Sequence, residues 1–487
     1  MLKSLAKEAA LYAAGTAAVR GIAVLLVPIY TYSLSVSQYG VLETALVSLQ
    51  ILLILYNAGM SQAVVRFWGE AGGAADADRL IGTATTTTLA LGGLGALLTI
   101  IVGFTLGRSL LGSTFTTWAL LGLVGSAVAR SMHQQCSGVY RAMRRPGAYV
   151  IMQIMAALVW LVACYLLVRR FHGGIAGALW SQCIGFGVVA GWGYLATTRT
   201  LRLSFEPARA WELLRFGAPL IASAAGWFVL NASDRYFLGV YRNFTEVGQY
   251  SLGYRVASLH VVGIITPLQL AFAPMVFEAA KQPGLDEKIA HIAEASAWIV
   301  GLSAGVLAML APIAVSLLSP AAYAHSEIYT YWILPSGVFL GVYYWAASLL
   351  HLQKRTLWIA GAVIAAAIAN IALNFALIPS YGAIGAAIAT DIAMLGAATL
   401  VTVLALRLQT VRLHRGKLML ATLVSGTLFA LAVWLSYAPV SSSLRVMTDI
   451  LAASLAVATA GLTISGRDVI SRIAGLRWIA SRRARSP

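Results

Sequence analysis

Four arginines stand inside stretches that are otherwise apolar: Arg20, Arg130, Arg235 and Arg255. A charged side chain at the centre of a membrane helix costs about 2.5–3.5 kcal/mol on insertion scales, so each needs water, a counter-charge or a ligand. Arg20 lies about ten residues, or ~15 Å, into its stretch, and Arg255 about eight residues, or ~12 Å, in from the opposite end. Corresponding depths point to one hydrated cationic cavity. Guanidinium binds phosphate-type oxygens bidentately and stays charged in a partly dry site. The packing alternative is that each arginine pairs with a neighbouring carboxylate or backbone carbonyl. Arg130 lies nearer one end of its stretch, where a long side chain can also snorkel to the surface. Asn231, Asp234 and Arg235 fall at i, i+3 and i+4 with Trp227, as a polar track along one helical face; Asp234 and Arg235 read equally well as an interfacial pair. Arg66, at a helix end, suits either an entering anion or lipid headgroups.

Other chemistry is sparse. Cys136, Cys164 and Cys183 are odd in number, lie in apolar stretches and lack metal-ligand spacing. No P-loop, zinc cluster or nucleophile triad is present, so no metal or organic cofactor is expected and an ATPase or hydrolase is unsupported. Tyr250, Tyr254, Tyr343, Tyr344 and Trp345 could stack on sugar rings, although aromatic belts at membrane interfaces explain such residues as readily.

The elements that hold these residues follow from composition. The chain has 487 residues, 60% of them apolar and 10% charged, and a mean hydropathy of +0.81; soluble domains carry about 25% charged residues. Only lipid can bury apolar surface in this proportion. Taking ~20 apolar residues per span, helices are predicted near 9–33, 40–64, 81–107, 115–140, 147–168, 174–196, 215–239, 247–277, 293–318, 328–352, 356–379, 383–406, 417–437 and 445–465, fourteen in all. The first is too long for a signal-peptide core and no cleavage pattern ends it. Pro267 and Pro274 should bend the eighth. Of the 34 Lys and Arg, 25 then fall on the side of the termini, 5 on the other side and 4 within spans. The bias places both termini in the cytoplasm. The net charge of +17 is thereby explained by anionic membrane lipids, not nucleic acid.

The chain also repeats itself. Val36-Ser-Gln-Tyr-Gly40 recurs as Val247-Gly-Gln-Tyr-Ser251, Arg144-Arg-Pro146 as Lys354-Arg-Thr356, and Gly174-Ile-Ala-Gly-Ala178 as Gly382-Ala-Ile-Gly-Ala386, at offsets of 211, 210 and 208. The expectation is an all-α membrane protein with two six-helix bundles of one orientation, 1–200 and 201–409, followed by a helix hairpin and basic tail at 410–487.

The seventh and eighth spans carry a family resemblance. Phe216-Gly-Ala-Pro219, Asn231-Ala-Ser-Asp234-Arg235-Tyr-Phe-Leu-Gly239 and Gly248-Gln-Tyr250-Ser-Leu-Gly-Tyr254-Arg255 resemble the characteristic stretch of the polysaccharide (Wzx-type) flippases. These belong to the multidrug/oligosaccharidyl-lipid/polysaccharide (MOP) exporter superfamily, with MurJ and the MATE transporters. Pro28-Ile-Tyr-Thr, Gln38-Tyr-Gly40 and Val65-Arg66-Phe67 are similar to it too. The resemblance implies a V-shaped fold and an inner-membrane flippase that moves a polyprenyl-diphosphate-linked oligosaccharide by alternating access, for O-antigen, exopolysaccharide or capsule synthesis. Glycosyltransferases and a polymerase would be its functional partners. On this reading Arg20 and Arg255 hold the diphosphate, with Asn231, Arg235 and Arg130 as further substrate contacts and Arg66 at the cytoplasmic entrance. Coupling to H+ or Na+ would need a carboxylate reachable from both sides: Asp391 is the deepest, with Asp234 and Glu43 nearer the outer surface. Asp391 as the partner of one arginine is the packing alternative. Rival readings are a MurJ-like lipid II flippase, a cation-coupled drug antiporter and, in another class, a membrane glycosyltransferase or polymerase. The last is disfavoured by the short outward loops.

Overall fold

The computed structural model describes residues 19, 21–198, 203–281, 283–408, 411–438, 448, 451–457 and 459–460, and among these no strand occurs. The helices are α1 (Gly21–Thr31), α2 (Val36–Asn57), α3 (Met60–Phe67), α4 (Ala74–Leu111), α5 (Thr117–Ala142), α6 (Pro146–Cys164), α7 (Gly174–Thr198), α8 (Pro207–Ala232), α9 (Asp234–Tyr241), α10 (Phe244–His260), α11 (Thr266–Ala279), α12 (Leu285–Leu318), α13 (Ser326–Leu352), α14 (Thr356–Leu408) and α15 (Arg415–Tyr437). Merging those that run on, ten helices among the described residues are long and apolar enough to cross a membrane. This is a multi-pass membrane protein. On α4, Leu94, Leu97, Leu98, Ile101 and Phe104 are each more than half exposed, which only a lipid surround accommodates.

Two predicted spans differ in detail. The second is broken where Ala58 and Gly59 take positive φ (45° and 76°). A Cβ on Gly59 would lie 2.7 Å from the Gly217 Cα of α8, so close backbone contact fixes the break. Span eight runs as α10, a wide π turn at Val261–Ile265 and α11; Pro267 cannot donate to the carbonyl one turn back, and the wide turn precedes it. At 53 residues α14 would be ~80 Å long, against a hydrocarbon core of ~30 Å. It is two helices joined at Gly382, whose φ of 56° and ψ of −135° leave the helical region. Of the stretch predicted at 445–465, most lies outside the described residues, and 451–457 is helical.

The chain divides into two compact units. Unit one comprises Met1–Leu252, Ser316–His325 and Ala367–Ala386; unit two comprises Gly253–Val315, Ser326–Ala366 and Ala387–Pro487. In unit one, α5 and α7 are linked by Ser126 Oγ to Leu179 O (2.6 Å), Arg130 to Gln182 (2.9 Å) and Tyr140 Oη to Gly193 O (3.0 Å). Partner numbers rise together, so the two helices run parallel, as alternate spans must. Elsewhere in unit one α3, α4, α5 and α8 share a core of Met60, Val64, Leu80, Ile81, Val139 and Leu213.

The repeated stretches adopt matching local geometry. Ser35 caps α2 through the Gln38 N–H (3.2 Å), and Asn243 caps α10 through the Glu246 N–H (2.9 Å). Arg144 and Lys354 both take positive φ (51° and 58°). The following residue in each case donates five residues back, Arg145 to Tyr140 O and Arg355 to Leu350 O (3.0 and 2.9 Å). Gly174 and Gly382 share φ near 59° and 56°.

Candidate functional site

The densest buried polar cluster around the predicted site residues lies in unit one, where α8 passes into α9. Asp234 and Arg235 are 2% and 5% exposed. The Asp234 carboxylate accepts from the Arg235 guanidinium (2.7 Å), the Arg235 backbone N–H (2.9 Å) and the Tyr250 hydroxyl (2.5 Å). Arg235 also donates to Asn231 O (2.8 Å) and lies over the Tyr250 ring at 5.3 Å. A buried pair is tolerated only when such extra bonds satisfy both charges. The Asn231 side chain turns the other way, exposed, with its amide on Trp227 O (2.8 Å).

Beneath this cluster, Asn374 donates to Asn370 Oδ1 (3.1 Å), which also stands 3.4 Å from Ser233 Oγ. Both asparagines are at most 1% exposed, and Asn374 Oδ1 has no hydrogen-bond partner among the described residues. These two are absent from the sequence-derived candidates. The signal was there: two amides four residues apart in an uncharged apolar stretch.

The remaining candidates are dispersed. Arg20 lies outside the described residues. Arg255, on α10 in unit two, is half-buried. Arg130 is half-buried, bonded to Gln182 and stacked over Phe186 at 5.0 Å. Arg66 is exposed, paired with Glu70 and stacked on Phe67. Glu43 is 5% exposed on α2 and close to Tyr323. Asp391, on the second part of α14, is half-buried against the Ser336 backbone, and its Oδ1 has no partner among the described residues. Among the described residues no group of three or more His, Cys, Asp or Glu could hold a metal ion.

The family model for polysaccharide biosynthesis proteins matches residues 5–280. The chain belongs to that family. No curated protein matches it in sequence. Among solved structures, "Lipid II flippase MurJ, inward closed conformation" superposes with a TM-score of 0.74 at 14% identity, covering 94% of this chain and 99% of that one. An inward-facing multidrug-resistance MATE transporter of the MOP superfamily gives 0.64 at 14% identity, over 81% and 94%. A MOP superfamily transporter from Pyrococcus furiosus gives 0.57 at 16% identity, over 82% and 95%. At such identities the likeness is one of fold, and this member of the polysaccharide biosynthesis family has the fold of MurJ and the MATE transporters.

Proposed function

We propose that the protein is a flippase carrying a polyprenyl-diphosphate-linked oligosaccharide from the cytoplasmic to the outer leaflet of the inner membrane, for surface polysaccharide synthesis. The observation that carries this reading is the polysaccharide biosynthesis family match in a chain whose membrane helices hold guanidinium groups. Fourteen spans form two six-helix halves and an appended hairpin, with both termini cytoplasmic. The matching geometry of the repeated loops supports the two halves. The prenyl chain stays in lipid while the headgroup crosses, and no covalent bond is made. Arg20 and Arg255 bind the diphosphate, Arg130 and Asn231 meet the headgroup along its path, and Arg66 attracts it at the cytoplasmic entrance.

Ion coupling has a physical route through Asp234. H+ or Na+ at that carboxylate would compete with Arg235 and release its guanidinium to the substrate; Asp391 and Glu43 are the alternative carboxylates. The lipid II reading is favoured by the breadth of the MurJ superposition, and its cargo shares the diphosphate. A cation exporter has less support, because Asp234 is already engaged by Arg235 and Tyr250.

The test is deletion of the gene in cells that make the lipid-linked glycan. Full-length lipid-linked repeat units should then accumulate on the cytoplasmic leaflet, with restoration by the wild-type gene. Normal surface polysaccharide in the deletion strain, or accumulation of a peptidoglycan precursor instead, would overturn this proposal.

A further inference from the structure

Of the arginines predicted inside spans, Arg235 has a carboxylate beside it, whereas Arg130 is paired with none among the described residues. Arg130 lies ~20 Å from the start of α5 at Thr117 and ~18 Å from its end at Ala142. That is mid-depth in a ~30 Å hydrocarbon core, too deep for the snorkelling its place in the sequence suggested. A charge there needs an anion or water.

The partners it does have are neutral and fixed. Nη1 donates to Gln182 Oε1 (2.9 Å), and the guanidinium carbon lies 5.0 Å from the centre of the Phe186 ring. Phe186 is itself held edge-on to His133 (5.1 Å) and tilted against Trp160 (5.6 Å). Gln182 and Phe186 are 1% and 4% exposed, while Arg130 keeps an exposed surface. On either side of this level the bonds from Ser126 to Leu179 O and from Tyr140 to Gly193 O tie α5 to α7, so the grip sits on rigid elements. An amide and a ring face satisfy a guanidinium only in part, because it carries five N–H donors and a full charge. With Nη1 engaged by Gln182, the edge formed by Nε and Nη2 has no acceptor among the described residues. That edge is a fork that takes two oxygens of one phosphate.

We propose that Gln182 and Phe186 are positioning residues that aim the Nε–Nη2 edge of Arg130 at the phosphate oxygens of the transported headgroup, an inference that rests on the flippase reading. The residue type at 182 carries the argument. A glutamine orients the guanidinium without neutralising it, whereas a glutamate in its place would supply the counter-charge that the cargo is to bring.

The experiment compares the full-length wild type with Gln182→Glu in detergent, by thermal unfolding and by calorimetric titration with farnesyl diphosphate. The variant should unfold at the same or a higher temperature and yet bind farnesyl diphosphate at least about tenfold more weakly. A purely structural contact would gain stability and lose nothing in binding. If Gln182→Glu does not fold, Phe186→Leu decides: it should weaken binding about threefold or more, with Phe186→Tyr close to wild type. Wild-type affinity in the deciding variant, or weaker binding that comes only with earlier unfolding, would overturn the proposal and leave the flippase reading standing. No binding by the wild type would overturn the diphosphate grip and this proposal with it.

Discussion

At the scale of single residues, the chain pays for its buried charges with local pairing. Asp234 and Arg235 are adjacent in sequence, and they are stabilised by a third group, Tyr250, that comes from the next helix across the Arg242–Asn243 turn. Removing one member leaves an uncompensated buried charge, so Arg235→Leu should cost about 3–5 kcal/mol, whereas Asp234→Asn with Arg235→Gln should cost less than Arg235→Leu alone. Thermal unfolding of the purified variants checks this, and equal loss in both would mean the pair is not coupled. Sequence spacing showed Asp234 and Arg235 as a possible pair but not their depth, nor the Tyr250 hydroxyl, because that contact depends on how a turn returns the chain. Asn370 and Asn374 are hidden for a related reason. An amide in an apolar helix has no charge to draw notice, and its meaning appears only when Ser233 of another helix stands beside it.

At the scale of elements, the apolar stretches were legible but several helix starts were not: spans read from 40, 81, 215 and 293 begin as helices at Val36, Ala74, Pro207 and Leu285, although the causes of such starts are local. Pro146 and Pro207 stand in the first turns of α6 and α8, and Ser35 with Gln38 forms a capping box on α2. The breaks at Ala58–Gly59 and Val261–Ile265 were less legible, since the first answers to a distant backbone and the second to wide-turn geometry that proline alone does not specify. The repeated Gln-Tyr stretches have a further use. A Cβ on Gly40 would overlap the Phe244 carbonyl and lie 2.8 Å from the Gly248 N, while one on Gly248 would overlap the Val36 carbonyl. The starts of α2 and α10 therefore touch backbone to backbone, and only glycine permits it. Gly248→Val should drive them apart, lower transport and raise the reactivity of Ser37→Cys toward an impermeant thiol reagent applied outside. Unchanged reactivity would show that this contact closes nothing.

At the scale of the whole molecule, hydropathy shows a multi-pass chain, charge asymmetry is the ground for the proposed orientation, and the family match places the chain among polysaccharide biosynthesis proteins. Alkaline phosphatase fused after Ala321, between α12 and α13, should be active, and the same reporter fused after Lys354, between α13 and α14, inactive; the reverse pattern would invert the proposed orientation. Substrate identity is not legible in the residues, because an arginine would meet the diphosphate of any lipid-linked sugar in the same way. The proposed flipping stands on that recognition. Its most direct test is leaflet exchange of a fluorescent polyprenyl-diphosphate oligosaccharide in proteoliposomes, comparing the wild type with Arg255→Lys and Arg255→Ala at equal reconstitution and equal thermal stability. Loss of charge-assisted hydrogen bonds worth about 1.5–3 kcal/mol should slow Arg255→Ala by at least about tenfold, with Arg255→Lys intermediate, and a monophosphate analogue should be carried poorly by all three. Wild-type exchange rates in Arg255→Ala would contradict a guanidinium grip on the diphosphate.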